Sequence, residues 1–271
     1  MERTKTTILG LQNKKARGEK ITMLTAYDYS TASMIDEVGV DTILVGDSLG
    51  MVVLGYDSTV PVTMEEMLHH AKAVRRGVKF SFIIGDMPFM SYNVSREEAI
   101  RNAGRFIKEA GCDAVKLEGG TEMAAVVKAV VEAGIPVCGH IGLTPQTATK
   151  LSGFRVQGKD DKTARALVQS ARDLDEAGAF MLVLEMVPEA IAAEISRAVA
   201  MPTIGIGAGP GCDGQVLVTN DLLGLYERFV PRFVKQYLKL APMIKDALST
   251  YVSDVRAGVF PGPEHTFKSS S

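Results

Sequence analysis

The chain has 271 residues, 46% apolar and 23% charged, with a formal net charge of −2. That balance is ordinary for a globular protein and lacks the basic excess of a nucleic-acid binder. No stretch nears the roughly 18 uninterrupted apolar residues of a membrane span, and the basic, polar N-terminus carries no signal-peptide core, so a cytoplasmic protein with no membrane partner is expected. The three cysteines, Cys112, Cys138 and Cys212, have no paired spacing, which fits a reducing compartment.

Residues 1–20 read as a helix outside the main pattern, placed to plug the bottom of a barrel. From Ile21 onward, short β-branched apolar runs alternate with helical periodicity. The expected order is strand Ile21–Thr25, helix Ser30–Val38, strand Thr42–Val45, helix Met64–Arg76, strand Phe80–Ile84, helix Arg96–Ala110, strand Ala114–Leu117 and helix Glu122–Ala133. It continues with strand Val137–Cys138, helix Lys162–Ala177, strand Phe180–Leu184, helix Ala190–Val199 and strands Thr203–Ile206 and Gln215–Val218. Gly111, Gly134 and Gly178 follow helices where a C-terminus favours positive φ. Strands buried on both faces and separated by helices imply parallel βαβ units. Eight of them fit an α/β fold, a (β/α)8 TIM-type barrel with an extra N-terminal helix. Val230–Val255 adds one or two C-terminal helices interrupted near Pro242, and residues 268–271 are expected to fray. With no Pro-, Gly- or Ser-rich linker, residues 1–271 read as one domain. Lys14-Lys15 with Arg17, and Arg75-Arg76, read as solvated helix faces.

The predicted strand exits carry the chemistry. Asp47, Asp86, Lys116, Glu118, His140 and Glu185 all fall where barrel strands end, the face on which such barrels place active sites. Carboxylates at the ends of buried strands cost desolvation energy unless something cationic collects them. Lys116 and Glu118 lie two apart and so face the same side of their strand, while Val115 and Leu117 face the helices. A buried ion-pair layer is the plain structural alternative. Asp47 and Asp86 could instead cap helices, although Ser48-Leu49-Gly50 does not look like a helix start and Asp86 precedes Met87-Pro88. Hard oxygen donors suit Mg²⁺, which takes its remaining positions from water and substrate. Glu185, in an apolar setting, is expected to have a raised pKa and to act as general base; it could equally answer a neighbouring cation. His140 could donate to a substrate oxygen or be purely structural. His69-His70 lack the spacing of a zinc helix.

Gly209-Pro210-Gly211-Cys212-Asp213-Gly214 formally fits G-x-G-x-x-G. It leads into a strand rather than a helix, so no dinucleotide site is expected. Its amides could still line the barrel mouth and hold an anionic group. These residues together point to a metal-dependent enzyme for a small oxygen-rich anion. A 2-oxo acid fits well, since its carboxylate and keto oxygen chelate Mg²⁺ and the charge left by proton removal at C3 is then stabilised. Lys116 would neutralise the carboxylate.

Several blocks are specific beyond this. TAYDYS (25–30), VGDSLGMVVLGYDSTVPVT (45–63), DMPFMSY (86–92), VKLEGG (115–120), CGHIGLTPQ (138–146), GFRVQG (153–158), LEMVP (184–188), IGIGAGPGCDGQ (204–215) and FPGPEHTF (260–267) resemble the ketopantoate hydroxymethyltransferase family, over about Thr22 to Phe267. The resemblance implies a (β/α)8 barrel that transfers a hydroxymethyl group from methylenetetrahydrofolate to 3-methyl-2-oxobutanoate, giving 2-dehydropantoate for pantothenate synthesis. It implies that Asp47 and Asp86 bind Mg²⁺ directly and that Glu118 joins through water. It further implies that Asp47, Ser48, Asp86 and Lys116 contact the oxo acid and that Glu185 accepts the proton; for His140 it adds little. It also implies a homo-oligomer, commonly a decamer. One departure is Asn220, where many members carry a histidine before the aspartate; it bears on folate contacts and not on the metal chemistry.

Two rivals remain at this stage. A phosphoenolpyruvate mutase or isocitrate lyase type barrel also enolises oxo acids on Mg²⁺, but the Lys-Lys-Cys-Gly type segment of its mobile loop is missing. A non-catalytic oxo-acid sensor would be expected to have lost a ligand or the base, and all five of Asp47, Asp86, Lys116, Glu118 and Glu185 are present.

Overall fold

The computed structural model describes residues 3–148 and 155–268. Gly153 and Phe154 of the GFRVQG block, and the expected fraying of 269–271, lie outside the described residues. Residues up to Thr219 form one compact unit and those from Asn220 another.

In the first unit, helix α1 (Ile8–Ala16) precedes strand β1 (Ile21–Thr25) and helix α2 (Tyr29–Glu37). Strand β2 (Thr42–Val45) is followed by the single turn α3 (Leu49–Val52) and by α4 (Met64–Gly77). Then come β3 (Phe82–Asp86), α5 (Arg96–Lys108), β4 (Ala114–Glu118), α6 (Ala124–Glu132), β5 (Val137–Gly142) and α7 (Asp161–Glu176). Strands β6 (Met181–Glu185), β7 (Thr203–Ile206) and β8 (Gly214–Leu217) complete the sheet, with α8 (Glu189–Ala198) between the first two. All pairings are parallel, and β1 pairs with both β2 and β8, so the described strands close a barrel in sequence order. The (β/α)8 architecture expected from the sequence is present. No helix connects β7 to β8, where the Gly209–Gly214 loop descends instead.

Strand alternation produces two apolar layers. Met23, Leu44, Phe82, Ile84, Ala114, Cys138, Met181, Val183 and Val216 fill the barrel. Ile43, Val45, Ile83, Val115, Leu117, Leu182 and Leu184 point outward against Val74, Phe106, Val130, Leu174 and Ile195 of the helices. Gly85 allows the closest of these approaches, since a Cβ there would run into the Phe106 ring. Helix starts are set by side-chain caps. Asp28, Ser95 and Asp160 each accept a backbone N–H, and Thr63 with Glu66 forms a capping box at α4.

The N-terminal helix closes the barrel floor. Leu11 is fully buried among Ile21, Met23, Phe82, Phe180 and Ile204. Lys15 Nζ donates to the carbonyls of Ser196, Val199 and Met201 and pairs with Asp213 at 3.0 Å. Lys14 pairs with Asp41 at 2.6 Å. The expectation of a solvated face thus fails for these two lysines, because the loops entering the strands present carbonyls and acids that need donors. It holds for Arg17, whose partner Glu19 is exposed like itself.

Other boundaries move for local reasons. Phe80 and Ser81 bond the Asp36 carboxylate rather than the ladder, so β3 starts at Phe82 and runs to Asp86. Strand β5 runs past Cys138 to Gly142, its glycines having hidden it from propensity. In the second unit, α9 (Thr219–Leu222), which begins at the unit boundary, precedes α10 (Leu240–Arg256). Pro242 sits in the first turn of α10, where its missing N–H costs nothing, so it begins the helix rather than interrupting one. No described helix is long and apolar enough to cross a membrane.

Replacing Leu11 by alanine empties the barrel floor and should cost about 2–5 kcal/mol, read from the denaturant midpoint. A loss below about 1 kcal/mol would mean that α1 is not part of the core.

Candidate active site

Every strand runs toward one rim, so the last inward residue of each meets the others there. The register places Asp86 beside Lys116, Glu118 beside His140 and Gly142 beside Glu185. Asp47 stands two residues beyond β2. Asp47, Asp86, Lys116, Glu118 and His140 are all at most 5% exposed, while the Glu185 side chain is 15% exposed at the mouth. The six residues expected to converge do so.

Lys116 Nζ lies 2.8 Å from Asp86 Oδ1, 3.9 Å from Glu118 Oε1 and 3.2 Å from His140 Nδ1. His140 Nδ1 is 3.5 Å from Glu118 Oε1, and its Nε2 faces Glu185 Oε2 at 3.2 Å. Asp47 donates its backbone N–H to Asp86 Oδ2 at 3.1 Å. Ser48, partly exposed, shares a 2.8 Å hydrogen bond with the Tyr27 hydroxyl.

Two residues that sequence reading missed complete the cluster. Gln146 Nε2 donates to Asp47 Oδ2 and to the Met87 carbonyl, both at 2.9 Å, and its backbone N–H donates to Glu118 Oε2 at 3.1 Å. Tyr92 donates to Gln146 Oε1 at 2.5 Å and accepts the Glu118 N–H at 3.2 Å. Gln146 lies in a single 3-10 turn (Pro145–Thr147) and Tyr92 in a loop, each several residues past its strand, where neither periodicity nor strand-end position marks them.

Charge in this cluster is out of balance. Burial, then the charges of Asp86 and Glu118, hold the Asp47 carboxyl well above its usual range. Burial likewise raises Asp86, against the pull of Lys116. Burial pushes Glu118 up as well, but His140, Lys116 and the Gln146 amide outweigh it and hold it low. Lys116 stays charged because the three carboxylates overcome its desolvation. Burial and Lys116 depress His140, yet the facing carboxylates of Glu118 and Glu185 push it up to about 9.

Helix capping does not account for Asp47 or Asp86. A one-turn helix does follow Ser48, contrary to expectation, but the Asp47 carboxylate bonds Gln146 rather than a helix amide. The Gly209–Gly214 loop runs away from the mouth. The Pro210 and Cys212 carbonyls accept from Lys20 and Asp213 pairs with Lys15, so the loop has by then reached the barrel floor. His70 bonds the Tyr27 carbonyl at 2.6 Å and is half-buried, while His69 is exposed.

Among the described residues no three His, Cys, Asp or Glu side chains converge tightly enough to hold an ion unaided. Mg²⁺ does not require this, since it keeps several waters and takes one or two carboxylates. Asp47 and Asp86 are hard, adjacent oxygen donors. Asp86 Oδ1 is buried, and its 2.8 Å ion pair with Lys116 lies outside hydrogen-bond geometry. The donor set fits such an ion. A cavity of about 360 Å³ opens beside Glu118, with Met123, Ile141 and Leu167 among its apolar walls and Thr144, Thr163 and Ser170 among its hydroxyls.

Residues 5–263 match the family model described as ketopantoate hydroxymethyltransferase. The chain belongs to that family. A 3-methyl-2-oxobutanoate hydroxymethyltransferase of Syntrophomonas wolfei subsp. wolfei is 58% identical over 96% of this chain and 95% of its own. One from Moorella thermoacetica is 57% identical over 98% and 99%. The chain is thus a hydroxymethyl-transferring enzyme of pantothenate biosynthesis. Solved structures share the fold at low identity. A 2,3-dimethylmalate lyase of the PEP mutase/isocitrate lyase superfamily matches with TM-score 0.59 and 13% identity, over 97% of this chain and 92% of that one. A phosphonopyruvate hydrolase bound to oxalate and Mg²⁺ matches with TM-score 0.62 and 12% identity, over 96% and 93%.

The raised His140 value has a stability consequence of definite sign. Protonated, its two N–H groups face Glu118 and Glu185; neutral, Nδ1 accepts from Lys116. A folded value of about 9 against 6.5 gives stability that is full below pH 6.5 and lost as pH rises to 9. The metal-free protein should lose on the order of 2 kcal/mol across that window, and His140→Gln should flatten the slope in pH-dependent unfolding. Equal slopes would show that His140 does not titrate there.

Proposed function

We propose that the chain takes the C3 proton from 3-methyl-2-oxobutanoate and transfers to C3 a one-carbon unit from methylenetetrahydrofolate, forming 2-dehydropantoate. The observation that carries this, beside the family, is the burial of Asp47, Asp86 and Glu118 around Lys116. Asp47 and Asp86 would hold Mg²⁺ directly and Glu118 would reach it through water. The ion, when bound, draws electron density from the keto and carboxylate oxygens.

The protein's own groups do the rest. Lys116, charged and buried, faces the substrate carboxylate and opposes the charge that grows on the keto oxygen as C3–H breaks. Ser48, oriented by Tyr27, donates to the oxo acid. Glu185, at the mouth beside His140, accepts the C3 proton, while His140 holds its carboxylate in place at 3.2 Å. C3 then forms a bond to the methylene carbon as one of its two folate nitrogens leaves with the bonding electrons; a water oxygen displaces the second nitrogen in the same way, and the nitrogens take up the C3 proton and one proton of that water. The cavity beside Glu118 offers the donor's flat ring apolar walls and hydroxyl partners.

We also place the enzyme in the cytoplasm, a reducing compartment that suits three buried free thiols. It would work as a homo-oligomer, a decamer as the family resemblance implies. Met243, Leu248, Tyr251 and Val255 leave an exposed apolar row on α10 that a second copy would cover.

The test separates binding from chemistry. Asp86→Ala should abolish Mg²⁺-dependent binding of the oxo acid. Glu185→Gln should leave that binding intact and slow both turnover and C3–H exchange in D₂O by at least about 100-fold. A Glu185→Gln enzyme of near-normal rate would remove Glu185 as base.

A further inference from the structure

We infer that Gln146 is a positioning residue that pre-sets the ion site, by fixing one oxygen of Asp47 and one of Glu118 so that their other oxygens face the cluster. The role rests on the proposed reading of Asp47 and Asp86 as the ion's ligands. It touches neither the reacting atoms nor, directly, the ion.

Both protons of the Gln146 amide are used, and its oxygen has a partner too. Its Nε2 gives one proton to Asp47 Oδ2 and the other to the Met87 carbonyl, each at 2.9 Å. Its Oε1 accepts from Tyr92, whose hydroxyl burial keeps protonated and therefore able to donate. Its backbone N–H takes Glu118 Oε2 at 3.1 Å, leaving Oε1 on the side of Lys116 and His140. Gln146 and Tyr92 are each at most 3% exposed, so water does not stand in for a lost bond.

The residue type follows from those partners. Two acceptors, Asp47 and Met87, need two protons from one atom, and Tyr92 needs an acceptor on the same group. Only a primary amide has both in that geometry. Glutamate would set a carboxylate against Asp47, and methionine would fill the space with no donor at all. In one stroke the amide links the loops after β2, β3 and β5 and, through Tyr92, the backbone of Glu118 at the end of β4. Carboxylates that reach an ion singly or through water are held in place mainly by such outer partners, whose loss typically costs 10–100-fold in metal affinity.

The test is calorimetric titration of the whole protein with Mg²⁺, with no turnover involved, on wild type, Gln146→Met and Tyr92→Phe, beside thermal unfolding of each in the metal-free state. The inference predicts Mg²⁺ binding weakened about 10–100-fold in Gln146→Met and to a smaller degree in Tyr92→Phe, which leaves the amide in place but frees its Oε1. A merely structural residue would lower the metal-free melting temperature and leave the Mg²⁺ dissociation constant within about twofold in whichever variant stays folded; that result overturns the inference. Wild-type protein that binds no Mg²⁺ would instead overturn the proposed ligand set, and this inference with it.

Discussion

Three carboxylates share a buried barrel mouth with one lysine, and that excess of negative charge constrains everything built around it. Asp47, Asp86 and Glu118 are almost fully withdrawn from water, yet only Lys116, and His140 when protonated, oppose them. A buried ion pair seldom adds net stability, and an uncompensated buried charge subtracts from it. The fold tolerates the arrangement by keeping Lys116 charged, by raising the proton affinity of Asp47 and by spending buried hydrogen bonds from Gln146 and backbone amides on the carboxylates. A divalent cation would settle the same imbalance more completely. In the proposed reaction, which would begin by removing a proton next to a ketone, that is also the position where positive charge is most useful.

The barrel converts this chemistry into geometry through strand register alone. Alternation puts Lys116 and Glu118 inside and Val115 and Leu117 outside, and parallel pairing sets Asp86, Cys138 and His140 beside them in the neighbouring strands. A one-residue slip of β4 would bury Val115 and Leu117 in the lumen and expel the lysine and the acid. The floor keeps that register by separate means, with Leu11 plugging the apolar end and Lys15 gathering carbonyls from the far side. Stability is thereby concentrated at one end of the barrel and reactivity at the other.

Much of this was legible in the sequence because it obeys short-range rules. The strands end in charged residues, and the two-residue spacing of Lys116 and Glu118 states their common face. What escaped obeys tertiary rules. Phe80 and Ser81 look like strand, but the Asp36 carboxylate captures their amides. Lys14 and Lys15 look like solvent-facing charges, and only the folded floor supplies the carbonyls and acids that claim them. Gln146 sits in a single 3-10 turn and Tyr92 in a loop, both too short for any period to apply, and their meaning arises from partners far away in the chain. The Gly209–Gly214 loop leads into strand β8, as its following residues suggest, but its descent to the floor follows from the parallel closure of β7 onto β8 rather than from its own residues.

The central claim is that the acidic cluster is completed by a divalent cation, and proton release on Mg²⁺ binding tests it most directly. Titrating the metal-free protein with Mg²⁺ in buffers of different ionisation enthalpy reads that release, because burial and the neighbouring acids raise the proton affinity of Asp47 and a carboxyl must be free of its proton to become a ligand. The account predicts a net release of protons, affinity that rises with pH, and loss of the release in Asp47→Asn. Mg²⁺ binding that releases no proton in any buffer, or that Asp47→Asn leaves unaltered, would contradict it.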